Sequence, residues 1–305
     1  MLYTSIMSAM LEVRDLHKAF NSLTAVDGIS FSIAGGETFG LLGPNGAGKT
    51  TTVNMIVGAL KPDSGVVNIG ENGDPTSAAV RQTIGNAPQS LSIYDDLTAE
   101  ENLRFFARLY GLSGKRMRER VRWSLEFAGL TERRSSRAGT FSGGMKRRLN
   151  LACALVHDPT TLILDEPTVG VDPQSRNLIF ESIETLKREG RTIIYTTHYM
   201  EAAERLCDRV AIVDHGKILD IDTVENLIEK HGGKSVIVMD LIALPENADR
   251  LPGSIEDNTL RIETDKPMEQ FAELASTGLK FSRTVIERAD LETVFLNLTG
   301  RRLRD

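Results

Sequence analysis

The sequence contains few cysteines, and this excludes several classes of protein. Among its 305 residues are only Cys153 and Cys207, far apart in the chain and each within an apolar pattern. Two such cysteines form neither the disulfide framework of a small secreted domain nor a closely spaced metal site. We therefore predict two core thiols in a reducing compartment.

Long apolar runs and an excess of basic residues are also missing. No apolar run approaches the ~18 residues that a membrane-spanning helix needs. The first ten residues lack the basic start and the apolar core of a signal peptide, so we interpret them as a frayed leader before the first strand. The net charge of -6 argues against a nucleic-acid-binding protein, which usually carries a basic excess.

The residues that are present have an ordinary globular composition, with 41% hydrophobic and 26% charged residues. Residues 11–222 alternate apolar strands with helical segments, which predicts a parallel sheet covered on both faces. Within this part, residues 98–130 are predicted to be helical throughout, and "RVAIVDHGKIL" (residues 209–219) to be one strand. Residues 223–305 change to strand, strand, helix, strand and helix, which predicts a small α+β domain.

A glycine-rich segment, "GPNGAGKT" (residues 43–50, the phosphate loop), follows an apolar strand and precedes a helix. It matches the pattern G-x-x-x-x-G-K-[ST], whose glycines let backbone N–H groups surround a phosphate. Lys49 is expected to reach the β- and γ-phosphates and Thr50 to bind Mg²⁺. The alternative is a turn without chemical role, which the correct flanks disfavour. The predicted nucleotide-binding residues here are Gly43, Pro44, Asn45, Gly46, Ala47, Gly48, Lys49, Thr50 and Thr51.

Two adjacent carboxylates follow a second apolar strand, "TLILDEP". Ligands bind at the carboxyl ends of parallel strands, so Asp165 is expected to hold Mg²⁺ there. Glu166 is then placed to orient and deprotonate a water molecule. Alone, such a pair is more often a solvated strand end, but the phosphate loop favours the catalytic interpretation.

Two further polar residues are ambiguous by themselves. His198 ends another buried strand; it is either an ordinary histidine or a γ-phosphate sensor that also holds Glu166. Gln89 is either uninformative or contributes a side-chain amide to Mg²⁺ and water, on a loop that moves when the nucleotide changes.

The helix after residue 144 begins unusually, with Ser142-Gly143-Gly144. A capping serine explains Ser142, but two glycines weaken a helix start. The glycines leave room for a phosphate at the helix N-terminus, so we predict a second anion cradle, for another ligand or another copy of the chain. The next three residues, Lys146 to Arg148, either add positive electrostatic potential at this cradle or form a solvated basic face.

The order of these motifs resembles that of ABC-type ATPases over residues 11–220. The resemblance implies a P-loop NTPase core with an antiparallel β subdomain and a helical signature subdomain. It implies that two copies meet head to tail, so that Ser142 and Gly144 touch the γ-phosphate held by the partner's Lys49. Phe20 matches the aromatic residue that stacks on adenine, although a half-buried strand residue is the alternative. The matching elements are residues 43–50, Gln89, residues 142–144, residues 162–167, "VGVDP" (residues 169–173, which include Asp172) and His198.

Two departures from the family pattern flank the signature residues. Phe141 and Met145 stand where many members have leucine and glutamine, while the serine and glycines between them are intact. The C-terminal "RADLETVFLNLTGRRLRD" is similar to the ending of ATPases in exporters of the daunorubicin-resistance type. Its apolar residues, Leu291, Val294, Phe295 and Leu298, are equally those of an amphipathic helix.

The resemblance implies the ATP-hydrolysing subunit of an exporter, with ATP and Mg²⁺ as ligands. Its expected partners are a second copy of itself and an integral membrane permease, at the cytoplasmic face of the membrane and without nucleic acid. The permease is expected to contact residues 90–102 and the helical region up to residue 130. The alternatives are a soluble ABC ATPase of DNA repair or translation and a non-hydrolysing binding module. The 52 residues between Gln89 and Ser142, without sustained heptads, disfavour a repair protein, and Glu166 with His198 disfavours the non-hydrolysing module.

Overall fold

A computed structural model describes residues 9–70, 73–244, 251–287 and 289–301 of the chain. The chain divides into two compact units, with the boundary between Val224 and Glu225. Of the ten residues predicted to form a leader, residues 1–8 lie outside the described part, while Ala9 and Met10 belong to the first strand, so the leader was predicted two residues too long. Arg288 and residues 302–305 of the exporter-like tail also lie outside it.

The first unit combines strands and helices in alternation. Its strands, β1 to β9, are Ala9–Phe20, Leu23–Ala34, Thr38–Leu42, Ser64–Ile69, Ile84–Ala87, Thr161–Asp165, Thr192–Thr197, Arg209–Asp214 and Lys217–Asp222. Its helices, α1 to α7, are Lys49–Ile56, Ala78–Arg81, Ala99–Leu109, Gly114–Phe127, Gly143–Leu155, Pro173–Arg188 and Met200–Leu206. Three of these elements, β4, β5 and α2, were not predicted from the sequence.

The central sheet has the strand order β5-β6-β7-β3-β8-β9. Its pairs are parallel, as predicted, except that β9 runs antiparallel to β8 at the edge. The prediction of a single strand over residues 209–219 is therefore wrong. His215 and Gly216 both have positive φ, 47° and 76°, and this turn reverses the chain between β8 and β9.

A second sheet, β2-β1-β4, is antiparallel and packs against the central sheet. Side chains of β2 alternate between buried and exposed, as expected of a strand with one face on the core. The core between them joins these strands to α1 and to the middle of the central sheet, through residues such as Leu16, Phe39, Ile56 and Ile194. Ala47, in the loop between β3 and α1, belongs to this core, which therefore supports that loop.

The helical part of the first unit surrounds α5. Thr98 caps α3 in a capping box with Glu101. The region 98–130 is not helical throughout, because α3 ends at Leu109 and Gly111, with φ of 77°, turns the chain before α4 begins. The buried faces of α3, α4 and α5 form one apolar cluster that includes Leu103, Val121 and Leu149. The first residues of α5 are thereby held by two neighbouring helices.

The second unit contains helices on an antiparallel sheet of order β11-β12-β10-β13. Its strands, β10 to β13, are Ser235–Leu241, Ser254–Glu256, Thr259–Thr264 and Phe281–Glu287. Its helices, α8 to α10, are Val224–His231, Pro267–Ser276 and Leu291–Thr299. Neither α8 nor β11 was predicted from the sequence. Leu291, Val294 and Phe295 of α10 are buried, so the tail is an amphipathic helix whatever else it does.

Both cysteines lie in the core of the first unit as free thiols. Burial raises the pKa of Cys207 to about 12 and also raises the pKa of Cys153, which keeps both thiols protonated. Within the described residues, no helix is both long enough and apolar enough to span a bilayer.

Stability below neutral pH is expected to depend on His157, which joins α5 to β6. Its ring stacks on Tyr110 at a centroid distance of 3.5 Å, and its Nε2–H donates to the Ile84 carbonyl oxygen at 3.0 Å. Burial lowers the pKa of His157 from 6.5 to about 4. Between about pH 4 and pH 6.5, His157 binds a proton in the unfolded chain but not in the folded chain. The free energy of unfolding therefore falls as the pH falls through this range, by up to ~3 kcal/mol.

The variant His157→Phe keeps a ring on Tyr110 and cannot titrate. Urea unfolding at pH 7.5 and pH 5 is expected to show a larger loss of stability for the wild type than for this variant. Equal losses in the two proteins would contradict the role given to His157.

Candidate functional site

The phosphate loop connects β3 to α1, and two of its glycines are required by close backbone contacts. Gly48, the N-cap of α1, has φ of 100°, and a Cβ there would collide with the carbonyl oxygen of Ala25. A Cβ on Gly43 would collide with the carbonyl oxygen of Val213. Since only glycine fits at these two positions, the loop can follow a tight path into the N-terminus of α1.

Lys49 is the first residue of α1, and its side chain turns back over the loop. It is only 5% exposed. Its Nζ donates to the carbonyl oxygens of Gly43 at 2.7 Å and Pro44 at 3.1 Å, and lies 3.1 Å from Oε1 of Glu166. The loop thus holds a buried cation whose partners are a carboxylate and two carbonyls.

Asp165 and Glu166 are buried at the end of β6, beside β7. Oδ1 of Asp165 accepts a hydrogen bond of 2.5 Å from the hydroxyl of Thr196. The backbone N–H of Glu166 donates to the Thr196 hydroxyl and carbonyl oxygens. Glu166 has φ of 49°, a left-handed conformation that is uncommon for a residue with a Cβ and is found at functional sites. This turn directs the Glu166 side chain toward Lys49.

His198 follows β7 and completes a chain of polar contacts. Its Nδ1 lies 3.0 Å from the Glu166 carboxylate. Glu166 therefore contacts two nitrogen-bearing side chains, Lys49 and His198. A carboxylate held in this way can accept a proton from a water molecule without changing its own position.

The phosphate loop opens into a cleft of about 480 Å³. Phe20 lies at its rim with 45% of its surface exposed, and Glu166 at its base. The predicted residues that line the cleft are Phe20, Pro44, Asn45, Gly46, Ala47, Gly48, Lys49, Thr50, Thr51, Gln89 and Glu166. Four further residues, Leu23, Thr24, Ala25 and His215, also line the cleft and were not predicted. The first three begin β2 and His215 lies in the turn after β8, and only the folded chain brings them to the phosphate loop.

Among the described residues, those at the start of α5 are not part of the lining of this cleft. Ser142 caps α5, since its Oγ accepts the Met145 N–H at 3.3 Å. The two glycines have different surroundings. Gly144 is buried, and a Cβ there would collide with the side chain of Ser175, whereas Gly143 is exposed and a Cβ there would meet only the Gly170 carbonyl oxygen, at 3.9 Å.

The solvated basic face considered for Lys146 to Arg148 is wrong, because all three side chains bridge to other segments. Lys146 pairs with Asp95 at 2.8 Å. Arg147 donates to the carbonyl oxygens of Gln89 and Val169. Arg148 donates to the carbonyl oxygens of Ala128 and Gly129, at the end of α4.

A divalent cation would find suitable oxygen donors at one side of the cleft. Mg²⁺ prefers carboxylate, hydroxyl and carbonyl oxygens. Thr50 and Gln89 line the cleft, and Asp165 is buried next to Glu166, with its carboxylate bonded to Thr196. These residues fit the chemistry of magnesium.

A glycine-rich loop around the N-terminus of α1, with an acidic pair at the end of a parallel strand, defines a P-loop nucleoside triphosphatase.

A sequence profile described as "ABC transporter" matches residues 26–169. The linearmycin resistance ATP-binding protein LnrL of Bacillus subtilis (strain 168) is 43% identical, over 97% of this chain and 100% of its own length. The Nod factor export ATP-binding protein I of Burkholderia lata is 40% identical over 97% of this chain and 99% of its own length. The chain belongs to the ATP-binding proteins of the ABC transporter family.

Solved structures agree with this assignment. An ATP-binding subunit of an ABC transporter superposes with a TM-score of 0.66 and 32% identity, over 73% of this chain and 93% of its own. A dimeric ATP-binding cassette in a post-hydrolysis state with ADP and Pi superposes with a TM-score of 0.64 and 25% identity, over 70% of this chain and 98% of its own. The predicted P-loop core with its β subdomain is confirmed, and the protein is an ATPase subunit of an ABC transporter.

Proposed function

We propose that this ATPase drives export through a separate integral membrane permease, to which it binds at the cytoplasmic face of the membrane. The support for export comes from relatives named for drug resistance and for Nod factor export, which align with 97% of the chain and therefore with both of its units. The solved cassettes cover only about the share that the first unit occupies. The second unit is thus shared with proteins of resistance and export.

In this proposal two copies pair head to tail around ATP. The observation that carries it is that Ser142 and Gly143 are exposed at the start of α5, outside the cleft of their own chain. A helix N-terminus of this kind attracts an anion, and the partner's nucleotide supplies one. Closure then depends on the γ-phosphate, because that group is the one both copies contact.

The predicted residues in and beside the cleft have distinct roles in this scheme. Lys49 and the phosphate loop bind the phosphates, and Phe20 stacks on adenine. Thr50, Gln89 and Asp165 hold Mg²⁺, which when bound supplies charge neutralisation to the phosphates. Glu166 orients a water molecule and accepts its proton. His198 holds Glu166 and senses the γ-phosphate.

The two glycines of α5 allow a direct test of the shared site. Gly143→Ala is expected to fold with wild-type stability, because its Cβ has room, yet to lose ATP-dependent dimerisation in the presence of Mg²⁺. Light scattering with and without ATP measures the dimer, and thermal melting measures stability. Gly144→Ala is the contrasting variant, since its collision with Ser175 is expected to lower stability by about 1–3 kcal/mol. A Gly143→Ala protein that dimerises normally would overturn the head-to-tail arrangement.

The proposed permease contact lies on exposed apolar side chains of the segment 90–102 and of α3. Tyr94, Phe105 and Leu109 are solvent-exposed there, and Tyr94 packs edge-on against Phe105 at 4.9 Å. Such a patch is typical of a protein-binding surface.

Capture from detergent-solubilised membranes of the source cells is expected to recover an integral membrane protein with the wild type but not with Phe105→Glu. Leu178→Glu, at an exposed apolar position of α6, is the control and is expected to retain the partner. Recovery of only soluble partners would favour the alternative of a soluble ABC ATPase.

A further inference from the structure

Two polar side chains of α5 point at the loop that carries Gln89 instead of at solvent. Arg147 and Asn150 are three residues apart, so they lie on the same face of the helix. Nη1 of Arg147 donates to the carbonyl oxygen of Gln89 at 2.6 Å. Oδ1 of Asn150 accepts the Ser92 N–H at 2.9 Å, and its Nδ2 donates to the Pro88 carbonyl oxygen at 3.4 Å. Backbone groups on both sides of Gln89 are therefore bonded to one helix.

The same arginine also reaches the turn that carries the catalytic carboxylate. Nη2 of Arg147 lies 3.3 Å from the carbonyl oxygen of Val169, and the Val169 N–H donates back to the Glu166 carbonyl oxygen at 3.3 Å. The planar guanidinium can make both bonds at once because its N–H groups are arranged as a rigid fork. One side chain thus connects the loop of Gln89 with the turn of Glu166.

The burial of these groups makes the connection specific. Asn150 is only 3% exposed, so its amide would lose hydrogen bonds without replacement if the loop moved away. Arg147 is half-buried, and burial lowers its pKa, an effect that the nearby carboxylates of Asp165 and Glu166 oppose. The Gln89 side chain itself remains exposed in the cleft, so its direction depends on the backbone that α5 holds.

We propose that Arg147 and Asn150 are positioning residues that clamp the Gln89 loop to the Glu166 turn, so that hydrolysis proceeds only while this loop is docked on α5. The inference deepens the proposed function, because it rests on the role given there to Gln89 at Mg²⁺. It also provides a route from the permease to the site. Residues 90–102 follow Gln89 directly, so a pull on that segment breaks the bonds to α5 and moves both Gln89 and Glu166 out of position.

The test compares Arg147→Lys with Arg148→Lys in the full-length ATPase. Arg148 is a matched control, because it is the adjacent arginine of α5 and also donates to backbone carbonyls, but those belong to the end of α4. Lysine retains the charge and cannot make both bonds of Arg147. We expect Arg147→Lys to lower kcat by about 10- to 100-fold, since small displacements of catalytic groups have effects of that size, with KM for ATP changed less than about twofold. The Mg²⁺ concentration for half-maximal activity should rise at the same time.

Arg148→Lys is expected to keep the wild-type kcat and Mg²⁺ requirement, even where its melting temperature falls as much as that of Arg147→Lys. Asn150→Leu should share the kinetic effects of Arg147→Lys, and the double variant should add little to either. Equal kinetic losses in the Arg147 and Arg148 variants would overturn the clamp, as would an unchanged kcat in Arg147→Lys.

Gln89→Ala separates the two proposals. If it raises the Mg²⁺ requirement and Arg147→Lys does not, only the clamp fails, whereas no effect in Gln89→Ala removes the proposed role of Gln89 and with it the clamp.

Discussion

Glu166→Gln is expected to abolish hydrolysis while ATP binding is retained, and to trap a dimer in the presence of ATP and Mg²⁺. The amide has nearly the same shape as the carboxylate, so the left-handed turn and the contacts to Lys49 and His198 can persist. It cannot accept a proton from water at neutral pH. Loss of a positioned general base typically lowers the rate by about 10²- to 10⁴-fold. Because the γ-phosphate then stays intact, the pair of copies that shares it should not reopen.

Size-exclusion chromatography with ATP and Mg²⁺ measures this trapped dimer, and phosphate release measures hydrolysis. Glu119→Gln, at an exposed glutamate of α4, is the control and should behave as the wild type. A Glu166→Gln protein that binds ATP and remains monomeric would show that the site is completed within one chain. Retention of more than a few per cent of wild-type activity would show that another group takes the proton.

Lys49→Ala is expected to lose most of its affinity for nucleotide. The ammonium group of Lys49 lies over the phosphate loop, where it can exchange its present oxygen partners, two loop carbonyls and Glu166, for phosphate oxygens. Charge-assisted hydrogen bonds of this kind contribute about 1.5–3 kcal/mol each, so the loss of one corresponds to roughly a 10- to 100-fold weaker Kd. Titration calorimetry with ATP measures the change.

The substitution also removes the cation that neighbours Glu166, which leaves a buried carboxylate with His198 as its remaining partner. A loss of stability is therefore expected together with the loss of affinity. Lys49→Met preserves more of the buried side-chain volume and separates the two effects, since it too should bind ATP weakly while unfolding less readily than Lys49→Ala. Lys61→Ala, at an exposed lysine, serves as the control. Wild-type affinity in both Lys49 variants would contradict the phosphate-binding role of the loop.

Much of the first unit could be predicted because its signals are local. The strands β3, β6 and β7 each contain a short apolar run and are buried along their whole length, and the glycines of the phosphate loop lie between a strand and a helix in the sequence itself. The predictions that were wrong concern turns. The hairpin at His215 and Gly216 was missed because the short polar break between two apolar segments was interpreted as part of one strand. The short strands β5 and β11 contain too few residues to show a periodicity.

The contacts of α5 show a second limit. Three consecutive basic residues, Lys146 to Arg148, give one signal in the sequence, namely a basic face. Each of them has a different bonded segment in the folded chain, and these partners are as far as 58 positions away in the sequence. Since backbone carbonyls are the acceptors for two of the three, no residue type in the partner segment could have indicated the pairing.

By itself, the sequence determined which groups are available for binding and hydrolysing ATP, because glycine placement and the order of strand, loop and helix are properties of neighbouring residues. Only the tertiary structure decided how those groups are connected. It showed that Gly144 is small because Ser175 packs against it, and that Arg147 joins the loop of Gln89 to the turn of Glu166. Such contacts depend on the packing of α5 between distant segments, and packing is a property of the whole fold.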